Sequence, residues 1–200
     1  MRRLSPIVCA LLLTGTAAAA AQTRVERGSR TRGLTAGWGH SWRPGVPGWS
    51  KTHSDVAFVA FHPRLGWFVA DRLELGGEAS LLGYYEPSPA IAAGVAGIAG
   101  RFHLTETRAW TPYATAGAGL LWTSLDVPEI DRVFNFQLFY GVGVRRVRRR
   151  NPGWILELRN HHISNAGTAG RNLGLNAATI VAGVEWILGA RQFRSAGRIR

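Results

Sequence analysis

Eight long segments of alternating apolar and polar residues constrain this chain most. They span residues 33–42, 54–69, 72–85, 90–103, 111–124, 134–147, 153–164 and 175–188. Each runs 10 to 16 residues, whereas strands of ordinary globular proteins average about 5–6. A strand that crosses a bilayer needs roughly 9–11 tilted residues. An even number of such strands closes into an antiparallel barrel without free edges. The expected fold is therefore all-β, an eight-stranded antiparallel transmembrane β-barrel of the outer-membrane type over residues 33–188.

The alternation also predicts which face each residue takes. In the seventh segment Trp154, Leu156 and Leu158 oppose Glu157, Arg159 and His161. In the third, Leu73, Leu75, Ala79 and Leu81 oppose Arg72, Glu74, Glu78 and Ser80. In the sixth, Phe134 to Val144 on even positions oppose Asn135, Gln137 and Arg145. A soluble β-sandwich would bury the apolar face, whereas a small membrane barrel turns it to lipid and fills its lumen with the polar one. Segment length and aromatic placement favour the barrel. Trp67, Trp110, Tyr113, Trp154 and Trp186 fall near one set of strand ends, and Trp42, Tyr84, Tyr85 and Trp122 near the other, as two interfacial girdles require. Glycines inside strands, Gly117 and Gly143 among them, suit tight curvature. Eight strands leave an interior only wide enough for side chains. Glu74, Glu78, Glu157 and Arg159 are thus expected to pair with one another in the lumen rather than line a pore.

The ends of the chain read differently. Met1-Arg2-Arg3, the apolar run from Ile7 and the alanines up to Ala21 have the form of a signal peptide over residues 1–21. Residues 22–32 are expected to be a periplasmic lead-in. Residues 189–200 form a basic tail expected to lack fixed structure. No apolar run of 18 residues follows position 21, which excludes a helical span in the mature chain. The lone cysteine, Cys9, lies within the signal, so a disulfide framework and a cysteine-ligated zinc are excluded and no cofactor or metal is expected. With the amino end periplasmic, odd strands end outside, which puts the end of the seventh strand near the outer leaflet.

The formal charge is +12, and one run, Arg145-Arg146-Val147-Arg148-Arg149-Arg150, resembles a polyphosphate-binding patch. It ends a barrel strand and forms a periplasmic turn, however. An exported chain meets little nucleic acid, so contact with anionic lipid phosphate or simple solvation is expected there, and no nucleic-acid partner.

The chemistry concentrates after His161, in HHISNAGTAGRNLGLNAAT. His162 and Ser164 are two residues apart on a strand, so they share a face with Cα atoms ~6–7 Å apart. That brings an imidazole and a hydroxyl within reach as base and nucleophile. His161 has the opposite parity. His162 and Ser164 share the face of Trp154, Leu156 and Leu158, the lipid face, where polar groups are costly and usually have a task. The spacing alone leaves two readings open: a catalytic pair, or a His and a Ser at headgroup level bonded to water.

The segment His162–Asn165, followed by Gly174 and a last strand, closely resembles the H-x-S-N-[AG] signature of the PagL-type lipid A 3-O-deacylases, and the eight-strand plan is similar to theirs. The resemblance implies an outer-membrane serine esterase that removes the 3-hydroxyacyl chain from the 3-position of lipid A. It implies Ser164 as nucleophile, His162 as general base, and Asn165 and Gly167 as contributors to the oxyanion hole. Where the family has a histidine-orienting glutamate on the last strand, this sequence has Asn176. Its parity is that of the lipid face, and antiparallel pairing should set it beside His162. An asparagine can orient an imidazole but cannot stabilise an imidazolium by charge. Glu157 and Glu185 have the wrong parity to replace it. The alternative function is a non-catalytic small barrel that binds lipopolysaccharide or supports the membrane. Lipid A, as part of lipopolysaccharide, and outer-membrane lipids are the expected partners; oligomeric state cannot be read from the sequence.

Overall fold

The computed structural model describes residues 23–43, 54–105, 110–130, 133–146, 152–170, 172–189 and 191–192. The signal segment and residues 193–200 of the tail lie outside the described residues, as do Val147 to Arg150 of the basic run. The elements are β1 (Thr23–Arg24), β2 (Arg30–Ser41), β3 (Ala57–Ala70), β4 (Leu73–Glu86), β5 (Ala90–His103), β6 (Trp110–Thr123), β7 (Phe134–Arg146), β8 (Gly153–Ser164), β9 (Leu175–Leu188) and β10 (Arg191–Gln192). β2 to β9 form a closed antiparallel barrel, sealed where β2 pairs with β9. β1 and β10 make a short ladder of their own, so the first residues after the barrel are paired with the lead-in.

Alternation sets the two faces. Leu65, Ile98 and Leu158 are 60%, 76% and 58% exposed, and they belong to an apolar belt that also carries Trp38, Trp67, Trp122 and Trp154. A soluble domain would not present such a belt to water; a barrel in lipid requires it. Trp38 Nε1 donates to Tyr85 Oη at 2.6 Å within the belt. Tyr84 and Tyr113 depart from the expected girdles: both are buried in the lumen. Tyr84 has the inward parity of Glu74 and Glu78 on β4, and Tyr113 donates to Glu157 at 2.6 Å.

The lumen is layered. Its middle holds Glu74, Glu78, Glu157 and Glu185 against Arg64, Arg101, Arg145 and Arg159. Arg101 meets Glu185 at 2.5 Å and Glu157 at 3.0 Å. Arg145 meets Glu74 at 2.5 Å and Glu185 at 2.6 Å. Arg159 meets Glu78 at 2.6 Å and also bonds Glu157. Arg64 lies 3.5 Å from Glu74 and 3.6 Å from Glu78. Four carboxylates thus balance four guanidiniums, as burial of charge demands. Arg145 is therefore a lumen residue rather than part of a solvated basic patch, whereas its neighbour Arg146 points outward over the Trp110 ring. Arg101 reaches the lumen because a register shift between Val95 and Ile98 reverses the parity of β5.

The lumen is not polar throughout. At the end bearing the long connections, Phe58, Leu82, Tyr84, Leu121, Leu125, Val127, Ile130, Ile163 and Leu175 close the barrel with an apolar plug. Residues of the 124–133 connection complete it. Ile130 bridges to Asn172, and the Glu129 carboxylate accepts from Ser54 N at 2.8 Å and Ser54 Oγ at 2.9 Å. The plug and this strap fix the end of the barrel on which β8 terminates.

Candidate active site

The register decides which side chains meet. On the outer face, one row runs across four strands as Ala118, Leu138, His162 and Asn176, each the direct partner of the next. The adjacent row is Leu120, Phe136 and Ser164. His162 and Ser164, both half-buried, line one outward cleft with Ala118, Leu120, Phe136 and Leu138, of about 360 Å³. Gly119 and Gln137 also border it, and the side chains of Ala118, Leu120, Phe136 and Leu138 make most of its wall apolar. His161 points the other way, its ring edge-on to Phe58 in the plug.

Asn176 stands opposite His162, and its Oδ1 lies 3.0 Å from His162 Nδ1. With Nδ1–H donating to that oxygen, Nε2 is left unprotonated and free to act as a base. Glu157 and Glu185 are both in the lumen network, so no carboxylate there can reach the imidazole from inside. Gly174 packs flush on the ring: a Cβ at that position would stand 2.7 Å from His162 Cε1.

The segment after Ser164 folds as a tight turn. Ala166 and Gly167 both take positive φ, 52° and 76°. Gly167 N donates to Asn165 Oδ1 at 2.9 Å, and Thr168 N to Asn165 O at 3.0 Å. Asn165 N donates to Asn172 Oδ1 at 3.2 Å. The two amides implied as oxyanion donors thus already serve the turn itself, each bound to a neutral amide oxygen. Gly174 N donates to the Glu129 carbonyl at 3.2 Å, which ties the far side of this loop to the strap.

Two further residues join the site. Asn160 lies on β8 with the parity of His162, and its Nδ2 donates to Asn176 Oδ1 at 3.3 Å. Trp42, at the end of β2, donates from Nε1 to Asn160 Oδ1 at 2.7 Å and from its backbone N to Asn176 O at 3.0 Å. Sequence reasoning assigned Trp42 to a girdle and passed over Asn160. An asparagine in line with Trp154, Leu156 and Leu158 was the available signal, since it carries the same cost on a lipid face as His162 and Ser164. Among the described residues, no three His, Cys, Asp or Glu side chains converge to hold a metal.

Fold and site together define an outer-membrane β-barrel with a polar cluster on its lipid face, beside a largely apolar outward cleft. The family model for lipid A 3-O-deacylase (PagL) matches residues 30–185, and the chain belongs to that family of lipid A deacylase hydrolases. Among solved structures it is similar to the outer membrane enzyme PagL, at 16% identity and a TM-score of 0.58, over 76% of this chain and 97% of that one. It is also similar to Neisserial surface protein A, at 14% identity and a TM-score of 0.56, over 80% of this chain and 98% of that one. No curated protein sequence matches the chain significantly.

Proposed function

We propose that this barrel hydrolyses the ester that holds a 3-hydroxyacyl chain at the 3-position of lipid A, with Ser164 as nucleophile and His162 as general base. The observation that carries the reading is the His162 Nδ1–Asn176 Oδ1 bond of 3.0 Å at the mouth of an apolar cleft shared with Ser164. An imidazole held by Nδ1 offers Nε2 to a hydroxyl, and only a lipid-embedded acyl chain has cause to enter an outward apolar cleft.

His162 Nε2 takes the Ser164 hydroxyl proton as Oγ bonds to the ester carbonyl carbon. The carbonyl oxygen becomes an oxyanion. When it collapses, the bond to the sugar oxygen breaks, and that oxygen takes the proton from His162. A water then attacks the acyl-serine, again giving a proton to His162. Collapse breaks the bond between the acyl carbonyl carbon and Ser164 Oγ, His162 returns its proton to Oγ, and a 3-hydroxy fatty acid leaves. The net change is ester plus water to alcohol plus acid.

Asn165 and Gly167 are proposed as oxyanion donors. Their amides now bind neutral oxygens, and an oxyanion accepts roughly twice as strongly, so the exchange is favourable as charge develops. Such donors each contribute about 3–4 kcal/mol to transition states of this kind. Ala118 and Leu138 on one row and Leu120 and Phe136 on the other offer the acyl chain its bed. The deciding experiment is mass spectrometry of lipid A from cells making the chain or its Ser164→Ala variant. Loss of one 3-hydroxyacyl group with the intact serine only is the expected result. Unchanged lipid A beside a folded barrel favours the non-catalytic alternative instead.

A further inference from the structure

An asparagine facing a catalytic imidazole poses a problem that a carboxylate does not. A carboxylate has only acceptors, so it fixes the proton of its partner on Nδ1 whichever way it turns. An amide has an oxygen on one branch and an NH₂ of nearly the same shape on the other. Turned by half a rotation, Asn176 would offer its NH₂ to Nδ1. That arrangement holds the imidazole proton on Nε2, and the nitrogen that would take the Ser164 proton can no longer act as a base.

The contacts around Asn176 remove this freedom. An indole N–H can donate and cannot accept. Trp42 Nε1 therefore demands an oxygen from Asn160, and the contact is Oδ1 at 2.7 Å. The other branch of Asn160 must then be its NH₂, and this faces Asn176 at 3.3 Å. An NH₂ demands an oxygen in turn, so Asn176 presents Oδ1 there, and the same oxygen lies 3.0 Å from His162 Nδ1. Each amide is fixed by the previous one, starting from a group with no choice. The sequence of bonds crosses from the end of β2 to β8, back to β9 and again to β8. Asn160 and Asn176 are 9% and 1% exposed although both have outward parity, so water cannot substitute freely for either partner. The backbone bond from Trp42 N to Asn176 O holds the indole in place over the pair.

We propose that Trp42 and Asn160 are positioning residues that fix the tautomer of His162 through Asn176, supplying the hydrogen-bond polarity that a glutamate at 176 would supply alone. The proposal rests on the reading of His162 as general base. Neither residue touches substrate; both act through the amide of Asn176.

The test compares Trp42→Phe and Asn160→Asp in two backgrounds, the natural chain and Asn176→Glu. Trp42→Phe keeps an aromatic ring and deletes the donor. Asn160→Asp turns an acceptor toward Asn176 and should drive its amide to flip. Two quantities are read in detergent: kcat and KM for 3-hydroxyacyl release, and the imidazole ¹⁵N shifts of His162 in the substrate-free barrel. A wrong tautomer can lower serine-hydrolase turnover by up to about 10⁴, so Trp42→Phe should lower kcat about tenfold or more with KM held within about twofold. Asn160→Asp should lower it further. The ¹⁵N spectrum should move from the Nδ1-protonated tautomer to a mixture. In the Asn176→Glu background, Trp42→Phe should change kcat by less than about twofold, because the carboxylate needs no orienting. Equal losses in both backgrounds, or an unchanged tautomer in Trp42→Phe, overturn the proposal. If the natural chain releases no fatty acid but its tautomer still shifts in Trp42→Phe, the orienting role stands and the enzymatic reading falls. Unaltered heat-dependent gel migration of the variants separates all of these outcomes from misfolding.

Discussion

Gly174 leaves room for the His162 ring: a Cβ built on it would stand 2.7 Å from Cε1, and its φ is +73°. Both facts oppose any other residue. Gly174→Ala is expected to cost about 1–2 kcal/mol from backbone strain alone, which a barrel of this kind survives. The larger effect should be on the ring, which must tilt or slide away from Ser164. A misplacement of about 1 Å can cost 10²-fold in rate. The variant should keep the gel mobility of the natural barrel and lose about that factor in fatty-acid release. A fully active Gly174→Ala chain would mean that His162 is not held by this contact.

Ser164→Ala and His162→Ala should each lower release of the 3-hydroxy fatty acid by at least about 10³-fold, since an unactivated serine is a weak nucleophile and, among the described residues, no second base lines the cleft. Both side chains are half-buried on the outer face, so little packing is lost and the heat-modifiable gel shift should persist. The double variant should be no slower than either single one, because the two act as a unit.

The fold was largely legible in the sequence because lipid outside and a packed lumen inside impose opposite chemistry on adjacent residues. The limits expected for residues 90–103, 153–164 and 175–188 coincide with β5, β8 and β9. Legibility failed where contrast failed. The register shift near Gly97 falls in a run of alanines and glycines, which carries no polar signal, and so the inward turn of Arg101 was not visible. Tyr84 and Tyr113 misled because a tyrosine suits a headgroup as well as a lumen, where Tyr113 meets the Glu157 carboxylate and Tyr84 packs edge-on to Phe58. The apolar plug was hidden because its parts come from many strands and from the 124–133 connection. At the site, the register placed Asn176 opposite His162, as its parity required. The contact of Trp42 with Asn160 spans 118 residues and follows from barrel closure, which no local pattern encodes.

The lumen network predicts a non-additive stability pattern. Glu78→Leu leaves Arg159 and Arg64 without a carboxylate they now share. Removing one partner of a buried pair typically costs about 3–5 kcal/mol. Glu78→Leu combined with Arg159→Leu removes the stranded charge, though it leaves Glu157 with one guanidinium fewer. The double variant should therefore be more stable than Glu78→Leu alone. Unfolding in urea, followed by tryptophan fluorescence in detergent, measures both. A strictly additive loss would argue against mutual dependence of these charges.

The cleft predicts acyl specificity. Ala118 is the small residue of the outer row that leads through Leu138 to His162. Ala118→Leu places a branched side chain in the bed of the acyl chain, without touching the imidazole or the hydroxyl. KM should rise about tenfold for a long-chain substrate, the cost of losing roughly two buried methylenes, while kcat for a short-chain ester stays within about twofold. A fall in kcat for both substrates would place the acyl chain elsewhere.

Asn176 bears the prediction with the most at stake. In the present chain its Oδ1 takes hydrogen bonds from His162 Nδ1 and from Asn160 Nδ2. It orients the ring but adds no charge when the imidazole becomes cationic during proton transfer. Asn176→Glu supplies that charge. A buried carboxylate so close to lipid is poorly solvated, which tends to keep it neutral. Two donors already converge on this position, however, from the imidazole and from Asn160, and both favour the ionised form. The added Coulomb stabilisation should win, and fatty-acid release should rise about tenfold or more. Asn176→Leu removes both orientation and acceptor. It should slow the reaction by about 10²-fold, less than the largest losses seen when a triad acid is replaced, since the natural residue here carries no charge to lose. Rates for the three forms, measured in one detergent at one substrate concentration, decide the matter. Equal rates for Asn, Glu and Leu would show that position 176 does not govern the histidine.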